Sequence, residues 1–109
     1  MAKAKLDIDG VFHALGDPVR RSILDRLKAR PLSVSQIAEP LDMTLTAVVQ
    51  HLQILEKGGL IHSEKVGRVR TCRIESTGLD LLEKWVRDHR TIWESRLDDL
   101  EDLLGRMDQ

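Results

Sequence analysis

The chain has 109 residues, of which 41% are hydrophobic and 32% charged, and its formal net charge is −1. Those figures fit one small packed domain spanning 1–109, and they exclude wholesale disorder and a second domain. Only 3% is aromatic (Phe12, Trp85 and Trp93, with no Tyr), which argues against single-strand nucleic-acid binders that stack bases on aromatic platforms. The single cysteine, Cys72, rules out an intramolecular disulfide and a multi-cysteine zinc site. No apolar run approaches membrane-span length, and Met1–Gly10 turns acidic at Asp7 and Asp9 without an apolar leader core. The expectation is a soluble cytoplasmic protein with no membrane partner.

The near-neutral total hides a partition. Residues 1–73 carry twelve Lys/Arg against eight Asp/Glu, about +4, whereas residues 74–109 carry five against ten, about −5. A basic part followed by an acidic tail suits a chain whose first part faces an anion, and it equally suits charge scattered over a solvated surface.

In chain order the pattern predicts helices and one hairpin. Asp9 caps a first helix through Val11, Phe12 and Leu15, stopped at Gly16. Asp17-Pro18 is an N-cap followed by proline at the first helical position, and Val19, Ile23, Leu24 and Leu27 follow at helical spacing to about Lys28. Beyond Pro31, Ser33 and Gln36 form a capping-box pattern. Val34, Ile37, Ala38 and Leu41 then mark a short third helix, which Pro40 ends early or kinks. Asp42-Met43 makes a tight joint, Thr44 caps a fourth helix, and Gly58-Gly59 ends it after Lys57. Two helices across so short a joint form a helix-turn-helix pattern, a geometry that any antiparallel helical hairpin shares.

The fourth helix carries the informative side chains. Val48, Leu52 and Leu55 share a core face, while Thr46, Gln50, Gln53 and Lys57 lie opposite, with no acid among them. Glutamine can bond adenine bidentately in a major groove, threonine can donate or accept, and Val49 at the edge suits a thymine methyl. Ile61–Val66 and Val69–Ile74 then read as two strands about a Gly67-Arg68 turn. Lys65, Arg68 and Arg70 surround the tip, as in a hairpin that touches phosphates or a minor groove, or one whose charges keep its edges soluble.

Together these segments resemble the ArsR (arsenic-resistance repressor) family of winged helix-turn-helix regulators. Phe12–Leu24, reading FHALGDPVRRSIL, resembles that family's opening signature, and Leu32–Ala38 resembles its first helix-turn-helix helix. Thr44–Leu55 resembles the recognition helix, and Leu60-Ile61 with Gly67-Arg68 resembles the start and tip of the wing. The resemblance covers about residues 11–74, and the tail with Trp85, His89-Arg90, Trp93-Glu94 and Leu97 is similar to a subgroup with a long C-terminal helix. It implies a mainly α fold with a small β-hairpin wing (α+β) and a dimer built through the first and last helices. Leu45, Thr46, Val49 and Gln50 stand where Gln, Pro, Ser and Lys are usual, so groove insertion carries over but the operator sequence does not. Metal-sensing members have a Cys-x-Cys box where this chain has Ser33-Val34-Ser35. None of His13, His51, His62 and His89 pairs with another at i, i+3 or i+4, so no metal and no cofactor is expected.

Thr77 is expected to cap the last helix, 77–107, a dimerisation element. Leu79, Leu82, Val86, Trp93, Leu97, Leu100, Leu104 and Met107 follow mostly at alternating steps of three and four, with His89 in the gap, a coiled-coil type of seam. Leu81, Trp85, Ile92 and Leu103 widen the stripe. A two-fold partner helix covers such a stripe, helped by Ile8 and Phe12 on the first helix, although part of it packs on the domain itself. The expected dimer contacts are Ile8, Phe12, Trp85, Ile92, Trp93, Leu97 and Leu100. Trp85 and Trp93 are read as packing before they are read as an effector site, and no effector is identified. Cys72 alternates with Ile74 toward the interior, as a small buried hydrophobe or as an oxidant sensor whose pKa Arg70 and Arg73 lower.

The function expected is a homodimeric, sequence-specific, double-stranded-DNA-binding transcriptional regulator. It would act as a repressor at a palindromic operator that includes its own promoter. Thr46, Val49, Gln50 and Gln53 would read bases, while Thr44, His51, Lys57, Arg68 and Arg70 would hold phosphates or the minor groove. The alternative is a winged-helix protein-interaction module without salt-dependent DNA affinity. An enzyme is not expected, because the chain has no nucleophile triad, phosphate loop or paired carboxylates.

Overall fold

The computed structural model describes residues 6–107, so residues 1–5 and 108–109 of the expected domain lie outside the described residues. The elements run α1 (Ile8–Leu15), α2 (Pro18–Leu27), β1 (Leu32–Ser33), α3 (Val34–Ala38), α4 (Leu45–Lys57), β2 (Ile61–Val66), β3 (Val69–Ile74) and α5 (Thr77–Met107). The chain is mainly helical with a small antiparallel wing.

The helix starts follow side-chain capping. Asp7, not Asp9, caps α1 by accepting from the Gly10 N–H at 2.8 Å. Asp9 instead falls in the first turn, where its charge meets the positive end of the helix dipole. Asp17 caps α2 as expected, accepting from Val19 N–H at 2.8 Å and Arg20 N–H at 3.3 Å. Ser33 and Gln36 close the capping box in both directions. The α3 helix stops at Ala38, before Pro40, and the Arg26 guanidinium donates to the Gln36 and Ile37 carbonyls, both at 2.6 Å. Those carbonyls would otherwise be left without partners at a helix end. Thr44 accepts from Ala47 N–H at 3.1 Å and starts α4.

The end of α4 is a Schellman motif. Leu60 N–H reaches the Leu55 carbonyl and Gly59 N–H the Glu56 carbonyl, each at 3.0 Å. Gly59 has φ +70°, the left-handed region that the motif demands and that a side chain would strain. Leu55 and Leu60 are fully buried across the motif, which aims the chain into the wing.

The wing strands match the expected bounds, and Gly67 turns the hairpin at φ +62°. The sheet has a third strand, in the order β1-β3-β2, with Leu32 opposite Cys72 and Ser33 opposite Thr71. Sequence reading missed β1, because two residues are too short to show strand alternation. Ile23, Ile37, Val48, Leu55, Leu60 and Ile61 form the centre of one core beneath the sheet and helices.

The start of α5 also differs from expectation. Thr77 lies inside the helix rather than capping it, and its hydroxyl donates to the Gly59 carbonyl at 3.3 Å. Gly78 N–H donates to the same carbonyl at 2.8 Å. From Val86 to Met107 every residue of α5 is exposed, so the last two-thirds of a helix about 46 Å long projects from the core. No helix among the described residues is long and apolar enough to cross a membrane.

Candidate nucleic-acid interface

The 13-residue α4 buries Val48, Leu52 and Leu55 and leaves Thr46, Gln50, Gln53 and Lys57 exposed together on the opposite face. Val49 is half-buried at the edge of that face, and Leu45 at its first turn is 59% exposed. An exposed leucine there adds an apolar contact beside Thr46 that sequence reading noted only as a departure from the family pattern. Thr44 is exposed, and with one lone pair of its oxygen serving the α4 cap its O–H is still free to donate outward.

The wing stands next to this face. Lys65 and Arg68 are exposed at its tip, as are the cross-strand partners Val66 and Val69. Arg70 is exposed too, but it does not project freely: its Nη1 donates to Ser63 Oγ at 3.0 Å. Ser63 in turn donates its N–H and O–H to the Glu56 carboxylate at 3.0–3.2 Å. This run of hydrogen bonds ties the wing to the last turn of α4. Glu56 and Ser63 were not singled out from sequence, since a register across two elements joins them. A cleft of about 260 Å³ lies between α4 and the wing, with Cys72 among its lining residues.

Cys72 is fully buried, and burial pushes its thiol pKa up, helped by the Glu56 charge and only partly opposed by Arg70. The expectation that nearby arginines lower it is therefore corrected: desolvation of a thiolate outweighs one exposed guanidinium.

His51 sits on the flank of α4, half-buried, with its Nδ1 3.1 Å from Arg20 Nη1. Arg20 is 7% exposed and also donates from Nε to the Ala14 carbonyl at 2.9 Å and from Nη2 to the His13 carbonyl at 2.7 Å. Asp17 lies 3.8 Å from Nη1. Burial raises the Asp17 pKa, but the Arg20 and Val19 N–H groups and the Arg20 charge outweigh it, so the carboxyl titrates below its ordinary value. Arg20 was missed as a functional residue because an arginine in an amphipathic helix reads as surface.

The apolar residues expected to meet a second copy divide into two groups. Ile8 and Trp85 are half-buried, and Phe12 packs edge-on against Trp85 with ring centroids 5.0 Å apart. His89 also stacks on Trp85, with ring centroids 4.0 Å apart. Ile92, Trp93, Leu97 and Leu100 are 49–70% exposed along the projecting part of α5.

Residues 15–64 match the helix-turn-helix domain family. The chain is 36% identical over 84 residues to the HTH-type transcriptional regulator Rv2034 of Mycobacterium tuberculosis, across 72% of this chain and 78% of that one. It is 30% identical over 79 residues to the transcriptional repressor SdpR of Bacillus subtilis, across 72% and 88%. Among solved structures, the ArsR family transcriptional regulator RHA00566 superposes with TM-score 0.76 at 43% identity, covering 81% of this chain and 91% of that one. The homodimeric winged helix-turn-helix DNA-binding domain of Mb0332 from Mycobacterium bovis superposes with TM-score 0.60 at 28% identity, covering 84% and 82%. The exposed polar row of Thr46, Gln50, Gln53 and Lys57 on α4, a cationic wing tied to that helix through Ser63 and Glu56, and these likenesses converge: the chain belongs to the ArsR family of winged helix-turn-helix transcriptional regulators.

Proposed function

We propose that this chain is a single winged helix-turn-helix unit that works in the cytoplasm as a homodimeric repressor, joined through α1 and α5, on a two-fold operator that includes its own upstream region. The observation that carries the DNA contact is the exposed row of Thr46, Gln50, Gln53 and Lys57 on α4, with no acid among the four, beside a wing that carries Lys65 and Arg68 and whose Arg70 lines one cleft with Gln53. Gln50, Gln53, Thr46 and Val49 read base edges in the major groove. Lys57, Arg68, Thr44 and His51 hold phosphates, with Arg70 reaching the backbone from its anchor on Ser63. The unpartnered Ile92, Trp93, Leu97 and Leu100 stripe supports the dimer, and the homodimeric relative supports it independently. A two-fold pair places its recognition helices about one DNA turn, ~34 Å, apart. Occupation of such a site blocks polymerase, in keeping with the similarity to a repressor. No chemistry is assigned to the chain and no effector is named.

Fluorescence anisotropy tests this reading on a fragment of the upstream region against scrambled DNA at two salt concentrations. A preference of about a hundredfold, with affinity falling steeply in salt, is the expected result. Gln50→Ala should erase the preference, whereas Arg68→Ala should weaken binding to both fragments and flatten the salt slope by about one unit. No binding at low salt would refute DNA recognition and point to a protein-interaction module.

A further inference from the structure

Arg20 is the one charged side chain buried among the described residues, and the DNA contacts above give it no role. Its Nε and Nη2 are spent on the Ala14 and His13 carbonyls in the last turn of α1. That alone would be a structural cap. Its Nη1, however, meets a ring nitrogen on the recognition helix, His51 Nδ1, at 3.1 Å.

A guanidinium has donors and no acceptor, and it stays protonated. The nitrogen it faces must therefore offer a lone pair, and in the neutral ring the proton then sits on Nε2. His51 Nε2 has no partner among the described residues. No buried side-chain nitrogen or oxygen is left unpaired there, so Nε2 reaches solvent. The result is a neutral donor on the rim of α4, directly after Gln50, whose ring is held from behind by a buried cation. That cation is itself held by two main-chain carbonyls and lies 3.8 Å from the Asp17 carboxylate.

We propose that Arg20 is a positioning residue for DNA binding: it fixes His51 in its Nε2–H tautomer and orients the ring so that Nε2–H donates to a phosphate oxygen beside the groove. This deepens the proposed function and rests on it. The sequence-independent contact it creates couples the junction of α1 and α2, where Arg20 is anchored, to the docking of α4.

Two readouts separate this from a purely structural cap. Long-range proton–nitrogen correlation spectra of the free protein report the His51 tautomer without any DNA. The wild type should show Nε2 protonated, and Arg20→Lys, whose single ammonium cannot serve both carbonyls and the ring, should show a redistributed tautomer. The second readout is anisotropy with His51→Asn. The asparagine amide oxygen stands where Nδ1 stood and still accepts from Arg20, but its NH2 donors stop short of the Nε2 position. This variant should melt like the wild type and bind about tenfold more weakly per half-site, on upstream and scrambled DNA alike. His51→Gln, which restores a donor near the Nε2 position, should recover part of that loss. An Nδ1–H tautomer in the wild type, or wild-type affinity in His51→Asn, overturns the proposal. If the wild type itself ignores both DNA fragments, the DNA-binding reading and the phosphate contact fall together, while the tautomer spectrum still decides whether Arg20 sets the ring.

Discussion

Replacing Gly78 and Gly105 by alanine, two glycines on one helix, should move stability in opposite directions. Gly78 lies in the first turn of α5 and Gly105 in its last, where alanine is favoured over glycine by at most the helix-interior value of about 1 kcal/mol. At Gly105 nothing lies within 4 Å of the added methyl, so Gly105→Ala should keep that gain. At Gly78 a Cβ would overlap the Gly58 carbonyl oxygen and lie 2.9 Å from that of Gly59, and both obstacles are backbone. The helix must then lift off the end of α4, stretching the 2.8 Å bond from Gly78 N–H to the Gly59 carbonyl. Overpacking of this kind costs typically about 1–3 kcal/mol. The strained hydrogen bond adds about 1 kcal/mol. The propensity gain cancels only part of that, leaving Gly78→Ala less stable by about 1–3 kcal/mol. Urea unfolding followed by circular dichroism at one fixed protomer concentration reads both variants, because the midpoint of a dimer moves with concentration. A Gly78→Ala variant at least as stable as Gly105→Ala, with unchanged m, would refute the close approach of α5 to α4.

Three further outcomes follow from the geometry. Because the Asp17 carboxyl titrates below its ordinary value, its stabilising effect is complete above the unfolded-state pKa and is lost as pH falls through the folded one. Asp17→Asn, which still caps α2, should therefore flatten the acid limb of a urea-midpoint profile below about pH 4, and an unchanged limb would dismiss the Asp17 contacts as its source. Cys72 is fully buried with its thiol pKa raised, so alkylation of the native protein should run only as fast as the chain opens, and prompt labelling would show an accessible thiolate. Leu97→Glu, on the exposed face of α5, should weaken self-association by about tenfold or more in sedimentation equilibrium while leaving the protomer folded; an unaltered dimer would place the interface elsewhere.

Much of the fold is legible from short-range chemistry. Asp17-Pro18, the Ser33/Gln36 box, Thr44 and Gly58-Gly59 each act within one turn of the backbone, and each stands where its local rule puts it. The strand bounds of the wing follow equally from alternation about Gly67. The polar face of α4 is legible for the same reason, since helical spacing alone separates Gln50 and Gln53 from Val48 and Leu52. The start of α1 was misplaced because Asp7 and Asp9 are equally good caps in isolation. Only the burial of Val11 and Ala14, which sets how α1 lies on the core, selects Asp7.

The remaining features depend on contacts between residues far apart in the chain. Arg20 and His51 are 31 positions apart, and Glu56 reaches Ser63 only once the Schellman turn has folded the wing back onto α4. Leu32-Ser33 becomes a strand only because β3 offers Cys72 and Thr71 as partners. Thr77 spends its hydroxyl on the Gly59 carbonyl that the same turn presents. Local pattern thus determined the helices, the two long wing strands and which face of α4 is polar, because capping and periodicity act within a few residues. The tertiary structure decided which cation is buried, which histidine nitrogen faces outward and how the wing is aimed, because those depend on the distances between elements that packing alone sets.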